Sequence, residues 1–194
     1  MKKIKVFEAF TGYGGASFGL KKAKIPYEVI GYSEVDKFAS ELFNGNFPDI
    51  KNFGDITKIN PNEIPDFDLF TGGFPCQPFS QVGLGKGERD TRGTLFHNIL
   101  KICEVKKPKH ILLENVKGLI TKKHEKTLET IVKSLEKLDY HVTYKLLNSK
   151  EVSSCILLRI KRPFSLDESI TLNLLKSSIL EFTLPFIVMP ISFL

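Results

Sequence analysis

Cys76 and Glu114 are the two residues whose types and surroundings best suit covalent chemistry. Cys76 lies between two prolines in the segment Gly-Phe-Pro-Cys-Gln-Pro-Phe-Ser, which directly follows a strand-like run at 68–70. Glu114 follows the apolar run 111–113, which also has the composition of a strand. The carboxyl ends of parallel strands lie at one edge of a sheet, so the two side chains are expected to meet there. This pairing of a thiol with a carboxyl acid predicts an active site with a cysteine nucleophile.

A glycine-rich turn near the start of the chain predicts a ligand-binding loop. The strand-like run 4–9 is followed by Phe-Thr-Gly-Tyr-Gly-Gly at 10–15 and then by a helical pattern. Glu34 lies just after the next strand-like run, where a carboxylate binds ribose hydroxyls in nucleotide-binding folds. Ser17 stands where the dinucleotide fingerprint needs a glycine, and the lysine of a P-loop is missing. The alternative is therefore a purely structural turn.

Strand-like and helical segments alternate along the chain. The strand-like runs are 4–9, 27–32, 68–70, 110–113 and 141–147. Helical patterns are found at 16–22, 37–43, 94–105 and 126–138. This alternation predicts an α/β fold with a doubly wound, mostly parallel sheet. Cys103 lies on the apolar side of the third helical pattern, and we expect it to pack in the core.

Composition limits the class of protein. The chain has 194 residues, of which 42% are hydrophobic and 26% charged, with a net charge of +6. These values fit one soluble domain and are compatible with a polyanionic partner. No apolar run is long enough to span a membrane and no secretory signal core is visible, so a cytoplasmic location is expected. The three cysteines have no CxxC spacing and no histidines at zinc-finger intervals, which argues against a metal site.

Three motifs in a fixed order carry a family resemblance. They are FxGxGG at 10–15, PCQ at 75–77 and ENV at 114–116, supported by Gly-Asp-Ile at 54–56 and Thr-Arg-Gly-Thr-Leu-Phe at 91–96. In this order the motifs resemble the DNA cytosine-5 methyltransferase family, and the resemblance covers roughly residues 4–150. It implies a Rossmann-like fold that uses S-adenosylmethionine and acts on double-stranded DNA.

The resemblance also implies which residues bind S-adenosylmethionine. The glycine turn would surround its amino acid portion, Glu34 would bind the ribose hydroxyls, and Asp55 would accept a hydrogen bond from the adenine amino group. The implied cofactor-binding residues are Phe10, Gly12, Tyr13, Gly14, Gly15, Glu34, Val35, Asp55, Ile56, Pro75 and Leu95.

The implied reaction begins with addition of the Cys76 thiolate to C6 of a cytosine. The addition makes C5 nucleophilic toward the methyl group, while Glu114 holds or donates a proton at N3. A base then removes the C5 proton and the thiolate is eliminated. The target cytosine must be rotated out of the duplex to reach the thiol.

Family positions that contact substrate DNA correspond here to Gln77, Ser80 and Arg92. They belong to the glycine-rich, basic segment 77–93, which follows the nucleophile directly. We interpret this segment as a lid that closes on substrate, and a solvated surface loop is the alternative.

The resemblance ends near residue 150, and residues 151–194 form an atypical tail. The QxRxR element, the target-recognition region and the final helix of the family have no counterpart there. The abrupt change predicts a truncated or frame-shifted sequence, and a split enzyme completed by a second chain is the alternative. The run 155–160 nevertheless has the composition of a strand and could supply the next strand of the sheet.

The sequence thus predicts the catalytic part of a bacterial or phage-type DNA cytosine-5 methyltransferase from a restriction-modification system. Because the arginine element is missing, we expect the chain alone to methylate DNA poorly or not at all. Two alternatives stay open at this point: a methyltransferase that acts on tRNA, and a non-catalytic binding module that retains the fold.

Overall fold

The structure, a computed structural model, describes residues 2–75 and 95–147 together with the backbone of residues 155–161. Its strands are β1 (Ile4–Ala9), β2 (Tyr27–Ser33), β3 (Leu69–Gly73), β4 (His110–Val116), β5 (His141–Leu147) and β6 (Cys155–Lys161). Its α-helices are α1 (Gly15–Lys22), α2 (Lys37–Asn46), α3 (Leu95–Lys106) and α4 (Glu125–Glu136). Every predicted strand and helix is therefore present, with ends that differ by a few residues.

The described strands form one sheet with the order β2-β1-β3-β4-β6-β5. The pairs β1/β2, β1/β3 and β3/β4 are parallel. β6 is antiparallel to both β4 and β5. The doubly wound, mostly parallel sheet predicted from the alternation of elements is confirmed.

β6 supplies the strand that the run 155–160 was expected to form. It pairs with β4 along its whole length, from His110 opposite Lys161 to Val116 opposite Cys155. The sheet thus continues beyond the predicted domain boundary at residue 150. The division into a domain at 1–150 and a tail at 151–194 itself stays a prediction.

Two apolar layers cover the sheet because successive side chains of a strand point to opposite faces. On one face, Phe7 and Phe70 pack with α3 and α4. On the other face, Val6 and Leu69 pack with Leu20 of α1. Cys103 is fully buried in the first layer, as its position on the helix predicted.

The first turn of α1 is stabilised by a carboxylate from inside the sheet. Glu8 of β1 is only 3% exposed. Its oxygens accept hydrogen bonds from Ala16 N–H at 3.3 Å and from Ser17 Oγ–H at 2.5 Å. The bond from Ala16 satisfies a backbone N–H of the first turn that has no partner within the helix. The sequence showed Glu8 only as one acidic residue within an otherwise apolar strand.

Gly14 allows the chain to turn from β1 into α1. Its φ is +94°, in the left-handed region that side chains disfavour. A Cβ at this position would lie 2.9 Å from ring atoms of both Phe43 and Phe47. Phe43 is fully buried, and its ring centroid lies 4.3 Å from that of Tyr32, so the Phe43 ring has little space to move.

We predict that Gly14→Ala lowers the free energy of unfolding by about 2 to 4 kcal/mol, through backbone strain and overpacking. Gly45→Ala is the matched control, since nothing lies within 4 Å of its added Cβ and its φ is ordinary for α2. We expect that control to be neutral or stabilising by up to about 1 kcal/mol. Urea unfolding of both variants would measure the difference. Equal effects of the two substitutions would contradict this account of the turn.

Candidate functional site

A cavity opens at the carboxyl edge of the parallel strands. Its volume is about 340 Å³, within the range of small-molecule sites. Six predicted cofactor-binding residues line it: Phe10, Glu34, Val35, Asp55, Ile56 and Leu95. Ser33 and Thr57 also line the cavity and were not predicted. The structure therefore brings together residues from four separate segments of the sequence.

Glu34 is fixed by three backbone donors. Its Oε2 accepts a hydrogen bond from Gly12 N–H at 2.9 Å. Its Oε1 accepts from Val35 N–H at 2.9 Å and from Asp36 N–H at 3.0 Å. A carboxylate oxygen can accept two hydrogen bonds, so Oε2 keeps capacity for a hydroxyl of a ligand. This arrangement suits a carboxylate that binds a ribose.

Asp55 forms another polar part of the wall and also caps a short 3-10 helix, Ile56–Lys58. Its Oδ1 accepts hydrogen bonds from the Thr57 backbone N–H at 2.9 Å and from the Thr57 hydroxyl at 2.8 Å. The bond from the Thr57 backbone is the main reason that the pKa of Asp55 lies below its ordinary value. The carboxyl is therefore an ionised acceptor at neutral pH.

Asn52 connects the two loops that carry these carboxylates. Its Oδ1 accepts from Glu34 N–H at 3.2 Å and from Gly54 N–H at 2.8 Å. Its Nδ2 donates to Glu34 O at 3.0 Å and to Ser40 Oγ at 3.1 Å. One amide thus holds the end of β2 against the loop before Asp55. No sequence motif marked Asn52, because it resembles any polar loop residue.

Phe10 adopts a strained conformation at the cavity. Its φ is +54°, which is uncommon for an aromatic residue. Its backbone N–H donates to Ser33 O at 2.8 Å, and this bond helps to hold it there. Strain of this kind costs of the order of 1 to 3 kcal/mol and is concentrated at functional sites.

The other predicted cofactor residues, Gly12, Tyr13, Gly14, Gly15 and Pro75, do not line this cavity. Gly12 is connected to the cavity through the hydrogen bond that its N–H donates to Glu34. The ring of Tyr13 stacks on Phe18, with centroids 6.1 Å apart. Gly15 is buried at the start of α1. Their contacts with a cofactor stay predictions.

Glu114 lies within β4 and not beyond its end, because the strand continues to Val116. It pairs with Gly73, the last residue of β3. A Cβ on Gly73 would lie 3.1 Å from Glu114 Oε2, so a glycine leaves space for the carboxyl. Burial raises the pKa of Glu114 to about 7. The group is therefore poised to hold or release a proton near neutral pH.

Asn115 fastens the segment that leads to the predicted nucleophile. Its Nδ2 donates to Phe74 O at 2.7 Å, in a buried position. The Phe74 ring also packs against Phe96 of α3, with centroids 5.4 Å apart. β4 thus holds the backbone two residues before Cys76. The described residues do not include Cys76 or the segment 77–93. They therefore do not include the predicted DNA contacts Gln77, Ser80 and Arg92.

Two features are absent from the described part of the chain. There, no group of three or more His, Cys, Asp or Glu side chains could hold a metal ion. None of the helices in that part is long and apolar enough to cross a membrane.

Comparison with known proteins gives consistent similarities. Residues 4–154 match the model of the C-5 cytosine-specific DNA methylase family. The chain is 43% identical over 162 residues to Type II methyltransferase M.NgoBV of Neisseria gonorrhoeae. The aligned region covers 78% of this chain and 38% of that protein. It is 46% identical over 149 residues to Type II methyltransferase M.HaeII of Haemophilus aegyptius. Here the aligned region covers 77% of this chain and 46% of that protein.

A solved structure agrees with these sequence similarities. The S. pombe Dnmt2 methyltransferase superposes with a TM-score of 0.66 at 26% identity, over 86% of this chain and 52% of that chain. The chain therefore spans about half or less of the length of the relatives it matches.

We predict that the free energy of unfolding falls as pH rises from about 4.5 to about 7. Burial raises the pKa of both Glu8 and Glu114 to about 7 from 4.5, so in this window the folded state holds protons that the unfolded state has lost. Each carboxyl contributes up to the order of 3 kcal/mol. Urea unfolding between pH 5 and pH 8 measures the slope.

The double variant Glu8→Gln, Glu114→Gln should flatten this dependence, whereas Glu28→Gln, at an exposed position of β2, should leave it unchanged. A wild-type protein whose stability stays constant or increases across the window would disprove the raised pKa values.

Proposed function

Because the chain belongs to the C-5 cytosine-specific DNA methylase family, we propose that it forms the cofactor-binding and catalytic part of a methyltransferase. The proposed reaction transfers a methyl group from S-adenosylmethionine to C5 of a cytosine in double-stranded DNA. The observation that carries this proposal is Glu114, with its raised pKa, fastened through its neighbour Asn115 to the segment before Cys76.

The cavity fits a nucleoside-containing cofactor. It offers Glu34 for ribose hydroxyls, Asp55 as an acceptor for an amino group, and apolar contacts from Val35 and Ile56. Val35 is 75% exposed, so an aromatic ring that stacked on it would cover apolar surface. S-adenosylmethionine, when bound, supplies an electrophilic methyl group. These contacts support the cofactor assignment.

Cys76 acts in this proposal as the nucleophile that adds to C6 of the flipped cytosine. Addition forms the sulfur–carbon bond and moves electron density onto C5, so a cytosine that is otherwise unreactive can accept a methyl group. Loss of the C5 proton to a base then allows the thiolate to leave. The sequence motif supports this role for Cys76.

Glu114 controls the charge on the cytosine during this addition. A protonated carboxyl beside N3 donates a hydrogen bond and neutralises the negative charge that develops in the ring. A carboxyl with an ordinary pKa would be ionised at pH 7 and would repel that charge. The burial of Glu114 beside Gly73 therefore suits the acid that the reaction needs.

DNA is favoured over tRNA as the substrate because the family model describes a DNA methylase and the curated relatives are named Type II methyltransferases. The restriction-modification setting and the cytoplasmic location belong to the same proposal. A complementing second chain stays a prediction.

The test is methyl transfer from tritiated S-adenosylmethionine to mixed-sequence duplex DNA, with wild type, Cys76→Ala and Cys103→Ala compared. We expect slow incorporation by wild type and by Cys103→Ala, whose thiol lies in the core, and a loss of at least about 100-fold in Cys76→Ala. The rate should be slow because the sequence has no QxRxR element, whose arginines would hold the cytosine.

DNA that contains 5-fluorocytosine should also trap a covalent adduct with wild type and none with Cys76→Ala. Equal incorporation by the three proteins would reject Cys76 as the nucleophile. Methyl transfer to tRNA without methyl transfer to duplex DNA would show instead that the protein is a methyltransferase that acts on tRNA. Cofactor binding without any transfer or adduct would indicate a binding module.

A further inference from the structure

A basic segment follows the strand that carries Glu114. The chain leaves β4 at Val116 and forms two 3-10 helices, Lys117–Ile120 and Lys122–His124, before α4 begins. Lys122 and Lys123 are both exposed. This part of the molecule has no role in the cavity or in the proton chemistry described above.

The backbone below these two lysines is held in place. Leu119 is 1% exposed and belongs to the apolar core. The Thr121 hydroxyl donates to Gly118 O at 2.7 Å, and His124 N–H donates to Thr121 O at 2.8 Å. Lys122 and Lys123 therefore project from a packed base, so less entropy is lost when they bind a partner than for lysines on a loose loop.

The direction of β4 determines where Lys122 and Lys123 lie. The segment leaves the carboxyl end of this strand, which is the edge of the sheet at which Glu114 and the cavity lie. The N-terminus of α4 follows directly, and its first turn carries one acidic residue, Glu125, beside the positive end of the helix dipole. The two lysines therefore leave the sheet at the edge where a substrate must approach.

Some other lysines of the described structure have carboxylate partners. At the amino edge of the sheet, Lys106 pairs with Asp66 at 3.2 Å and Lys109 pairs with Asp68 at 3.1 Å. On α4, Lys133 pairs with Glu129 at 2.6 Å. Within the described residues, Lys122 and Lys123 take part in no such ion pair. Their charges are available to an external anion.

We propose that Lys122 and Lys123 bind phosphates of the DNA duplex and position it over the catalytic edge. This inference rests on the proposed function for the identity of the polyanion. Two adjacent lysines act as point charges that match the closely spaced phosphates of a duplex, and such contacts set position without reading sequence. The pair would thus act on any DNA that presents a cytosine to the site.

The experiment measures binding of a fluorescent 20-base-pair duplex by anisotropy at several salt concentrations between 50 and 200 mM. It compares wild type with the double variant Lys122→Gln, Lys123→Gln. The matched control is Lys21→Gln, Lys24→Gln, which removes the same charge at exposed positions near the C-terminal end of α1, at the opposite edge of the sheet. Thermal unfolding should confirm that both double variants are folded.

Loss of two phosphate contacts should reduce the slope of log Kobs against log salt by about 2 and weaken binding at 100 mM salt by roughly tenfold or more. The control should keep the wild-type slope and bind within about twofold of wild type. An unchanged slope in Lys122→Gln, Lys123→Gln, or an equal loss in the control, would overturn the proposal. A slope change with tRNA but not with duplex DNA would overturn it as well.

These outcomes separate the two proposals. Methyl transfer that depends on Cys76, combined with an unchanged salt slope in the lysine variant, would reject the phosphate site and keep the methyltransferase. A reduced slope in a protein that shows neither transfer nor covalent adduct would keep the phosphate site and reject the catalytic role. Absence of duplex binding by wild type at 50 mM salt would reject the phosphate site outright.

Discussion

Parallel pairing of β2, β1, β3 and β4 is the constraint on which the candidate site depends. It places the carboxyl ends of four strands at one edge, so Phe10, Glu34, Gly73 and Glu114 lie near one another although they are distant in sequence. Apolar side chains of these strands pack into layers on both faces, as is usual for a parallel sheet. The polar groups of the site are confined to the edge, where the strands end and the covering helices begin.

Hydrogen bonds at this edge fix the orientation of the loops, which apolar packing alone does not do, because a hydrogen bond requires a particular direction between donor and acceptor. Asn52 uses both its oxygen and its nitrogen to hold the Glu34 loop against the Gly54 loop. Glu34 in turn accepts a hydrogen bond from Gly12 in the glycine turn. Three loops that carry predicted cofactor contacts are thereby linked through two side chains. A ligand that binds between them meets a wall that is already ordered, so little loop ordering opposes its binding.

Much of this architecture could be predicted from the sequence, for identifiable physical reasons. Alternating apolar runs and helical patterns predicted the sheet, since burial on both faces requires them. The motifs indicated a family resemblance that is confirmed by the match of residues 4–154. They also predicted Glu34, Asp55 and Glu114 as site residues, and these roles stay predictions. The strand character of 155–160 was equally visible, and the structure gives it as β6.

Other features could not be predicted, because they depend on contacts between distant segments. Asn52 makes four hydrogen bonds, to Glu34, Ser40 and Gly54, only after β2, α2 and the following loop have folded together. Glu8 is buried under α1 only because the glycine turn directs Ala16 and Ser17 toward it. The extension of β4 through Val116 depends on pairing with β6, which lies far along the chain. In each case the residue type is ordinary and the tertiary neighbours give it a role.

The central claim is that the loops joined by Asn52 form a binding site for S-adenosylmethionine. Titration calorimetry with S-adenosylhomocysteine tests it most directly, on wild type, Asn52→Ala and the control Asn60→Ala, whose side chain caps the 3-10 helix Pro61–Glu63. We predict saturable binding to wild type and to Asn60→Ala, with Asn52→Ala weaker by about tenfold or more, equivalent to roughly 1.4 kcal/mol. Absence of binding to wild type, or equal affinity of Asn52→Ala and wild type, would contradict the account.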